Sequence, residues 1–242
     1  MIISVSFANE QVTERSYSRL AETIKANPCR VIVFDNMYPK NSIGFLKNLC
    51  MDKGFEYITM GENVGAFEAY NHLIDKADGE NIILFDGDNY PMHDDWHVAL
   101  EDVLGGDVVH STLMNPVSKR EMVERGSTFR IINGHFCKVT HTTVTCTTSA
   151  FSVKFLKSCG GLIGGNKYYG GNEIAMQKFY EGKKWVFLED YTEGTDQIQH
   201  LHDWEYQQYK LLYAHKGLKL SFEEYLKTNP EKIENIEKYI WP

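Results

Sequence analysis

The 242-residue chain has no stretch long and apolar enough to cross a bilayer; its longest apolar runs are four to six residues. That weighs against a membrane-embedded polymerase built on spanning helices. The start, "MIISVSFANE", lacks the basic opening and long apolar segment of a secretory leader. Cysteine is scarce and odd in number: Cys29, Cys50, Cys137, Cys146 and Cys159, with no CxxC. A disulfide framework and a cysteine zinc site are therefore not expected, and the thiols read as reduced in a cytoplasm. Basic charge is in deficit, 25 Lys and Arg against 33 Asp and Glu for a net −8. That weighs against general binding to a nucleic acid backbone. There is no internal repeat and no low-complexity linker.

What is present is enough for one sizeable core, with 43% hydrophobic residues. Short apolar runs alternate with helical spacing through residue 113. Ile2–Phe7, Arg30–Asp35, Phe55–Met60, the apolar run Ile82–Phe85 that leads into "DGDN", and the segment "DVVHSTL" read as strands. Between them, Tyr17, Leu20, Ala21 and Ile24 keep helical spacing, as do Ile43, Leu46, Leu49 and Cys50. So do Ala66, Ala69, Tyr70, Leu73, Ile74 and Ala77, and then Trp96, Ala99, Leu100, Val103 and Leu104. Five such alternations predict a parallel sheet covered on both faces. Asp94 and Asp95 read as caps of the fourth helix.

The second half changes character. Residues 114–140 carry Lys119, Arg120, Arg125, Arg130 and Lys138 with few periodic apolar positions, and read as a long excursion. "TVTCTTSAFSV" is β-prone. "KSCGGLIGGNKYYGGNE" holds six glycines in 17 residues and reads as a loop, with helix from Glu173 to Tyr180. A last long helix spans Trp204 to His215, and 221–242 reads as a polar helical arm.

The chemistry is concentrated in "NIILFDGDNYP". Four apolar residues run straight into Asp86 and Asp88, separated by Gly87. Two oxygen donors on one side of an extended chain suit a hard divalent cation such as Mg2+ or Mn2+. A solvated Asp-Gly turn is the other reading. An EF-hand is a poor fit, because Pro91 stands where that loop needs glycine and His97 where it needs glutamate.

The block "ENVGAFEAYNHLIDKADGENIILFDGDN" resembles the nucleotide-sugar half of GT-A glycosyltransferases, especially the family 2-like group. The shared elements are Asn63 and Gly65, Ala69 to Asn71 (one residue tighter than usual), Ala77, Gly79, Ile82 and Asp86-Gly87-Asp88. Ile3–Phe7 and Val31–Asp35 stand at that family's first two strands. The resemblance implies an α/β GT-A (Rossmann-like) fold: a mostly parallel sheet flanked by helices, with a small helical C-terminal extension. The expected divisions are 1–113 for the nucleotide-sugar half, 114–203 for the acceptor and catalytic half, and 204–242 for the extension.

The resemblance implies a metal-dependent transfer from a nucleotide-sugar donor, UDP-linked by expectation, to an acceptor hydroxyl. Phe7, Asp35, Asn63, Gly65, Asn71 and Asp86 would line the donor pocket. Asp35 could instead be a cap, and Asn63 and Gly65 a strand-to-helix turn. Asp86 and Asp88 would hold Mn2+ or Mg2+, with His200 or His202 as a late further ligand; with nine histidines in the chain, a chance pair is the other reading. Glu173, 87 residues after Asp86 and following Gly160-Gly161, matches the base of inverting relatives. Ile174 stands where relatives often carry a second carboxylate, and an ordinary carboxylate in a first helical turn is the alternative.

Two rival functions remain. A sugar nucleotidyltransferase of related fold would open with a glycine-rich loop after its first strand, and "SVSFANEQ" has no glycine. A non-catalytic nucleotide- or sugar-binding module would keep the pocket alone. The acceptor, whether glycan, lipid, protein or modified nucleic acid base, is not legible, nor is the oligomeric state.

Overall fold

The computed structural model describes residues 1–79, 81–113, 128–140, 148–162, 177–188, 198–201, 203–216 and 220–228. Its first four strands are β1 (Ile2–Ser6), β2 (Val31–Asp35), β3 (Glu56–Thr59) and β4 (Asn81–Asp86). Helices α1 (Glu10–Thr23), α2 (Phe45–Lys53) and α3 (Ala66–Ile74) connect them. Asn9 opens α1 by accepting the Val12 N–H at 3.0 Å, and Gly44 and Gly54 bound α2.

All four strands are mutually parallel, in the order β3-β2-β1-β4. The continuous apolar runs of β2 and β4 follow from burial on both faces, while β3, at the edge of the sheet, is partly exposed. Ile2, Val31, Val33, Ile83 and Phe85 pack toward Tyr17, Leu20, Leu46 and Trp96 from α1, α2 and α4 (Trp96–Asp102). The alternate residues Ile3, Val5, Ile32, Phe34, Ile82 and Leu84 pack toward Tyr70 and Leu73 of α3 and toward Phe155 and Leu156. The two-residue period of a strand thus divides one hydrophobic string between two cores.

Beyond β4 the halves interleave. Strand β5 (Asn89–Pro91) leaves the main sheet, and β6 (Val108–Thr112) follows α4. The outer part of the main sheet takes the order β4-β9-β6-β10-β8-β7. Here β7 is Thr128–Ile132, β8 His135–Thr140, β9 Ser149–Ser152 and β10 Lys184–Leu188. Strand β9 wedges antiparallel between β4 and β6, and β10 lies parallel to β6. Only β8 and β9 oppose the common direction, so seven of nine strands run the same way.

Several expectations need correction. The basic excursion is in part a hairpin: β7 and β8 pair antiparallel across Asn133-Gly134, both at positive φ, 51° and 91°. That is the geometry tight hairpins require. Asp95 does stand at the start of α4, but in left-handed conformation and with no side-chain cap. Its carboxylate accepts from Asn27 at 2.6 Å instead, while Asp94 faces Arg19 at 3.3 Å. Near Tyr180 the described helix is one short 3-10 turn, Gln177–Tyr180. The C-terminal arm is not polar throughout, because α7 (Phe222–Thr228) buries Phe222 and Tyr225. Helix α5 (Val153–Cys159) and the long α6 (Trp204–Lys216) complete the described α-helices. Among the described residues no helix is long and apolar enough to cross a membrane.

One core feature sets a pH limit. His110 on β6 is buried, stacks on Phe151 at 3.9 Å, and shares a hydrogen bond with the Tyr180 hydroxyl at 2.8 Å. Burial pushes its pKa down to about 3. The folded chain therefore keeps this ring neutral, while the unfolded chain protonates it near pH 6.5. Its contribution is present above that pH and is lost as pH falls from 6.5 toward 3, at up to about 1.4 kcal/mol per pH unit. Urea midpoints between pH 7 and 5 should fall, and a His110→Gln chain should lose that part of the slope.

Candidate functional site

Strand β1 connects onward to β2 on one side and pairs with β4 on the other, so strand order reverses between β1 and β4. In open α/β sheets the crevice beyond the carboxyl ends at such a point is where ligands bind. The carboxylates lie there. Asp86 is the last residue of β4, and Asp88 follows it two positions on. Both are half-buried.

The turn between them is held from below. The Gly87 N–H donates to the Val5 carbonyl at 3.1 Å. A Cβ on Gly87 would sit 3.0 Å from Ser6 Cα and 3.1 Å from the Tyr17 hydroxyl. Glycine is needed here so that this backbone can cross the end of β1. Buried hydroxyls form the floor: Tyr17 bonds Ser4 at 2.8 Å, and Ser16 donates to the Asn89 carbonyl at 2.6 Å. The Asn89 amide donates to Thr148 on the approach to β9.

Helix α3 enters over the same crevice. Asn63 accepts the Gly65 N–H at 2.9 Å, and Gly65 takes φ 90°, a conformation L side chains rarely adopt. The buried Asn36 accepts the Val64 N–H at 2.9 Å, tying this turn to the end of β2. One turn into the helix, the Tyr70 hydroxyl donates to Asp86 Oδ1 at 2.5 Å. Asn71, expected in the donor pocket, spends its amide elsewhere. It donates to the Leu162 carbonyl at 2.9 Å and accepts the Leu162 N–H at 2.6 Å. The close approach requires Gly161, at φ 91°, where a Cβ would stand 2.4 Å from Asn71 Oδ1.

At the end of β2, Asp35 accepts from the Tyr57 hydroxyl and the Met37 N–H, each at 2.9 Å. Desolvation first, then this carboxylate, push the Tyr57 pKa up to about 12. Phe7, just past β1, is ringed edge-on by Tyr38 at 5.2 Å, Tyr206 at 5.0 Å and Phe222 at 5.9 Å. It is a packing centre for the C-terminal helices.

A strap from the end of the chain crosses this face. Strand β11 (Ile198–His200) pairs antiparallel with β5, setting His200 opposite Asn89. The Leu201 N–H donates to the Asp88 carbonyl at 2.7 Å. Asp203 then caps α6 by accepting the Tyr206 N–H at 3.2 Å, and accepts the Asn9 N–H at 3.2 Å. The buried Tyr38 hydroxyl also bonds Asp203, and burial first and that carboxylate next push its pKa above the ordinary range. Lys40 pairs with Glu205 alongside. The strap thus links the ends of β4, β1 and β2.

Asp86, Asp88 and the backbone of His200 are therefore brought to one face, with Phe7, Asp35, Asn63 and Gly65 at neighbouring strand and helix ends. Glu173 and His202 lie outside the described residues. Among the described residues no group of three or more His, Cys, Asp or Glu is gathered for a metal. The sequence reading missed Tyr70 as a partner of Asp86, Asn36 as a tie, and Asp203 as an anchor. Only Asp203 carried a local signal, an aspartate directly before a helix.

None of the curated protein sequences matches this chain. Among solved structures, it is similar in fold to the mannosyltransferase PcManGT from Pyrobaculum calidifontis in complex with GDP-Man and Mn2+. The TM-score is 0.61 at 15% identity, over 91% of this chain and 64% of that one. It is also similar to residues 1–349 of S. aureus TarS, with TM-score 0.57 at 13% identity over 92% of this chain and 67% of that fragment. GalNAc-T7 with UDP, GalNAc and Mn2+ gives TM-score 0.61 at 11% identity, over 99% of this chain and 56% of that one. The chain thus spans between about half and two thirds of the length of these neighbours, and the shared architecture is the GT-A fold. Residues 1–160 match the sequence model described as glycosyl transferase family 2, and with two thirds of its length so matched, the chain belongs to that family.

Proposed function

We propose that this chain is a metal-dependent glycosyltransferase that moves a sugar from a nucleotide-sugar donor to an acceptor hydroxyl, with inversion. The observation that carries the reading is the Asp86-Gly87-Asp88 turn, set at the strand-order reversal and strapped by Leu201 and β11. The hard oxygen donors of its two carboxylates fit Mn2+ or Mg2+. Asp86 and Asp88 would hold the ion, with His202 or His200 completing the set from the strap. When bound, that ion neutralises the departing nucleoside diphosphate.

The rest is the work of the chain. Asp35 offers a carboxylate at the end of β2 for the nucleoside, a UDP-linked one by expectation, with Asn63 and Gly65 forming the turn beside it. Glu173 acts as base, taking the acceptor hydroxyl proton as the oxygen attacks. The fold neighbours in complex with GDP-Man and Mn2+, and with UDP, GalNAc and Mn2+, support the donor class.

The test is a panel of nucleotide sugars screened for thermal stabilisation with and without Mn2+. A true donor at 100 times its dissociation constant stabilises the folded state by about 2.7 kcal/mol. At least one UDP- or GDP-sugar should raise the midpoint by several degrees, only with Mn2+ present, and should release nucleoside diphosphate on incubation. Stabilisation without release would mark a binding module, and no stabilisation by any donor would end the proposal.

A further inference from the structure

We propose that Tyr70 is the positioning residue of the carboxylate pair, holding Asp86 in its cation-binding orientation through a neutral hydrogen bond. The inference rests on the reading of Asp86 and Asp88 as the metal pair.

The geometry comes from packing. The Tyr70 ring is buried in the core between α3 and the sheet, among residues that include Ile3, Leu73 and Leu84. Its backbone is fixed by α3, whose entry turn is held by Asn36 and by the left-handed Gly65. One residue on, Asn71 clamps Leu162 by two bonds. With the ring packed in the core and the helix tied at its entry and at Asn71, the hydroxyl meets Asp86 Oδ1 at 2.5 Å. A side chain so held restricts the carboxylate to one rotamer, which preorganised sites need.

The choice of donor matters. A lysine or arginine at this place would hold Asp86 equally well but would cancel its charge and compete with a divalent ion. A phenol donates without adding charge. An ordinary phenol already keeps its proton at neutral pH and serves as donor. Partners of this kind typically contribute 10–100-fold to metal affinity.

The experiment is a Mn2+ titration by calorimetry, with UDP and with GDP as probes, on the wild-type chain, Tyr70→Phe, Asp86→Ala and the double variant. Tyr70→Phe should weaken Mn2+ by roughly 10-fold or more, with the metal-free thermal midpoint little changed. In the Asp86→Ala background the same substitution should have no further effect, because the hydroxyl acts through that carboxylate. A Mn2+ affinity within about twofold of wild type would overturn the inference. So would additive losses in the double variant, or a large fall in the metal-free midpoint, which would mark a purely structural hydroxyl. A wild-type chain that takes no Mn2+ with either nucleotide would overturn the metal reading itself, and this inference with it.

Discussion

Asp88→Ala is expected to abolish Mn2+-dependent nucleotide binding while leaving the fold intact. The two consequences separate because Asp88 does two jobs with different atoms. Its carbonyl accepts the Leu201 N–H at 2.7 Å and so holds the strap; that bond survives the substitution. Its carboxylate supplies one of two negative charges at the crevice. Losing a ligand itself should cost more than losing a ligand's partner, for which about 10–100-fold is typical. A loss well above ~100-fold in affinity for UDP or GDP with Mn2+ is the expected calorimetric result. Circular dichroism and the metal-free midpoint should stay near wild type. If the wild-type chain bound nucleotide equally with and without Mn2+, Asp88 would have no such role.

Glu173→Gln should leave donor binding alone and slow transfer by roughly 10²–10⁴-fold, the usual contribution of a general base. Among the described residues, Leu162 is the last before Glu173, and it is tied to Asn71 on α3, next to the Tyr70 that holds Asp86. Glutamine keeps shape and polarity but cannot take a proton from the acceptor. Single-turnover transfer, compared with Mn2+-dependent donor affinity on the same variant, reads the two effects apart. Near wild-type transfer would remove Glu173 as the base.

The inner sheet was legible because its signals are local. The strands that end near Asp35 and Asp86 match the structure within one or two residues, while the helices are shorter than their apolar spacing suggests, α3 stopping at Ile74 before Ala77 and α2 starting at Phe45 with Ile43 left exposed. The outer sheet was not, because β9 reaches β4 and β6 from far along the chain, and no local pattern announces a wedge. Strands β5 and β11 are three residues each, too short to leave a periodic signal, and β5 contains Pro91. The β7–β8 hairpin did carry a signal, Asn133-Gly134 between β-prone runs, obscured by the surrounding Lys and Arg. At the site, residue types were readable and partners were not. Tyr70 looks like any apolar-face tyrosine until its hydroxyl is found on a carboxylate 16 residues away. Asn71 has the composition of a ligand-binding residue and the geometry of a clamp.

The strap also orders events during synthesis. Asn9 and Asp203 are 194 residues apart and share a hydrogen bond, and the half-buried Phe7 and the buried Tyr38 pack against side chains from α6 and α7. At about 5–20 residues per second, residue 203 leaves the ribosome roughly 2–9 seconds after residue 160. During that interval the inner sheet can pair, but the ends of β1 and β2 present bare aromatic rings. The nascent protein therefore carries a transient sticky patch at the mouth of its future pocket, a surface suited to chaperone capture until its own last helices arrive.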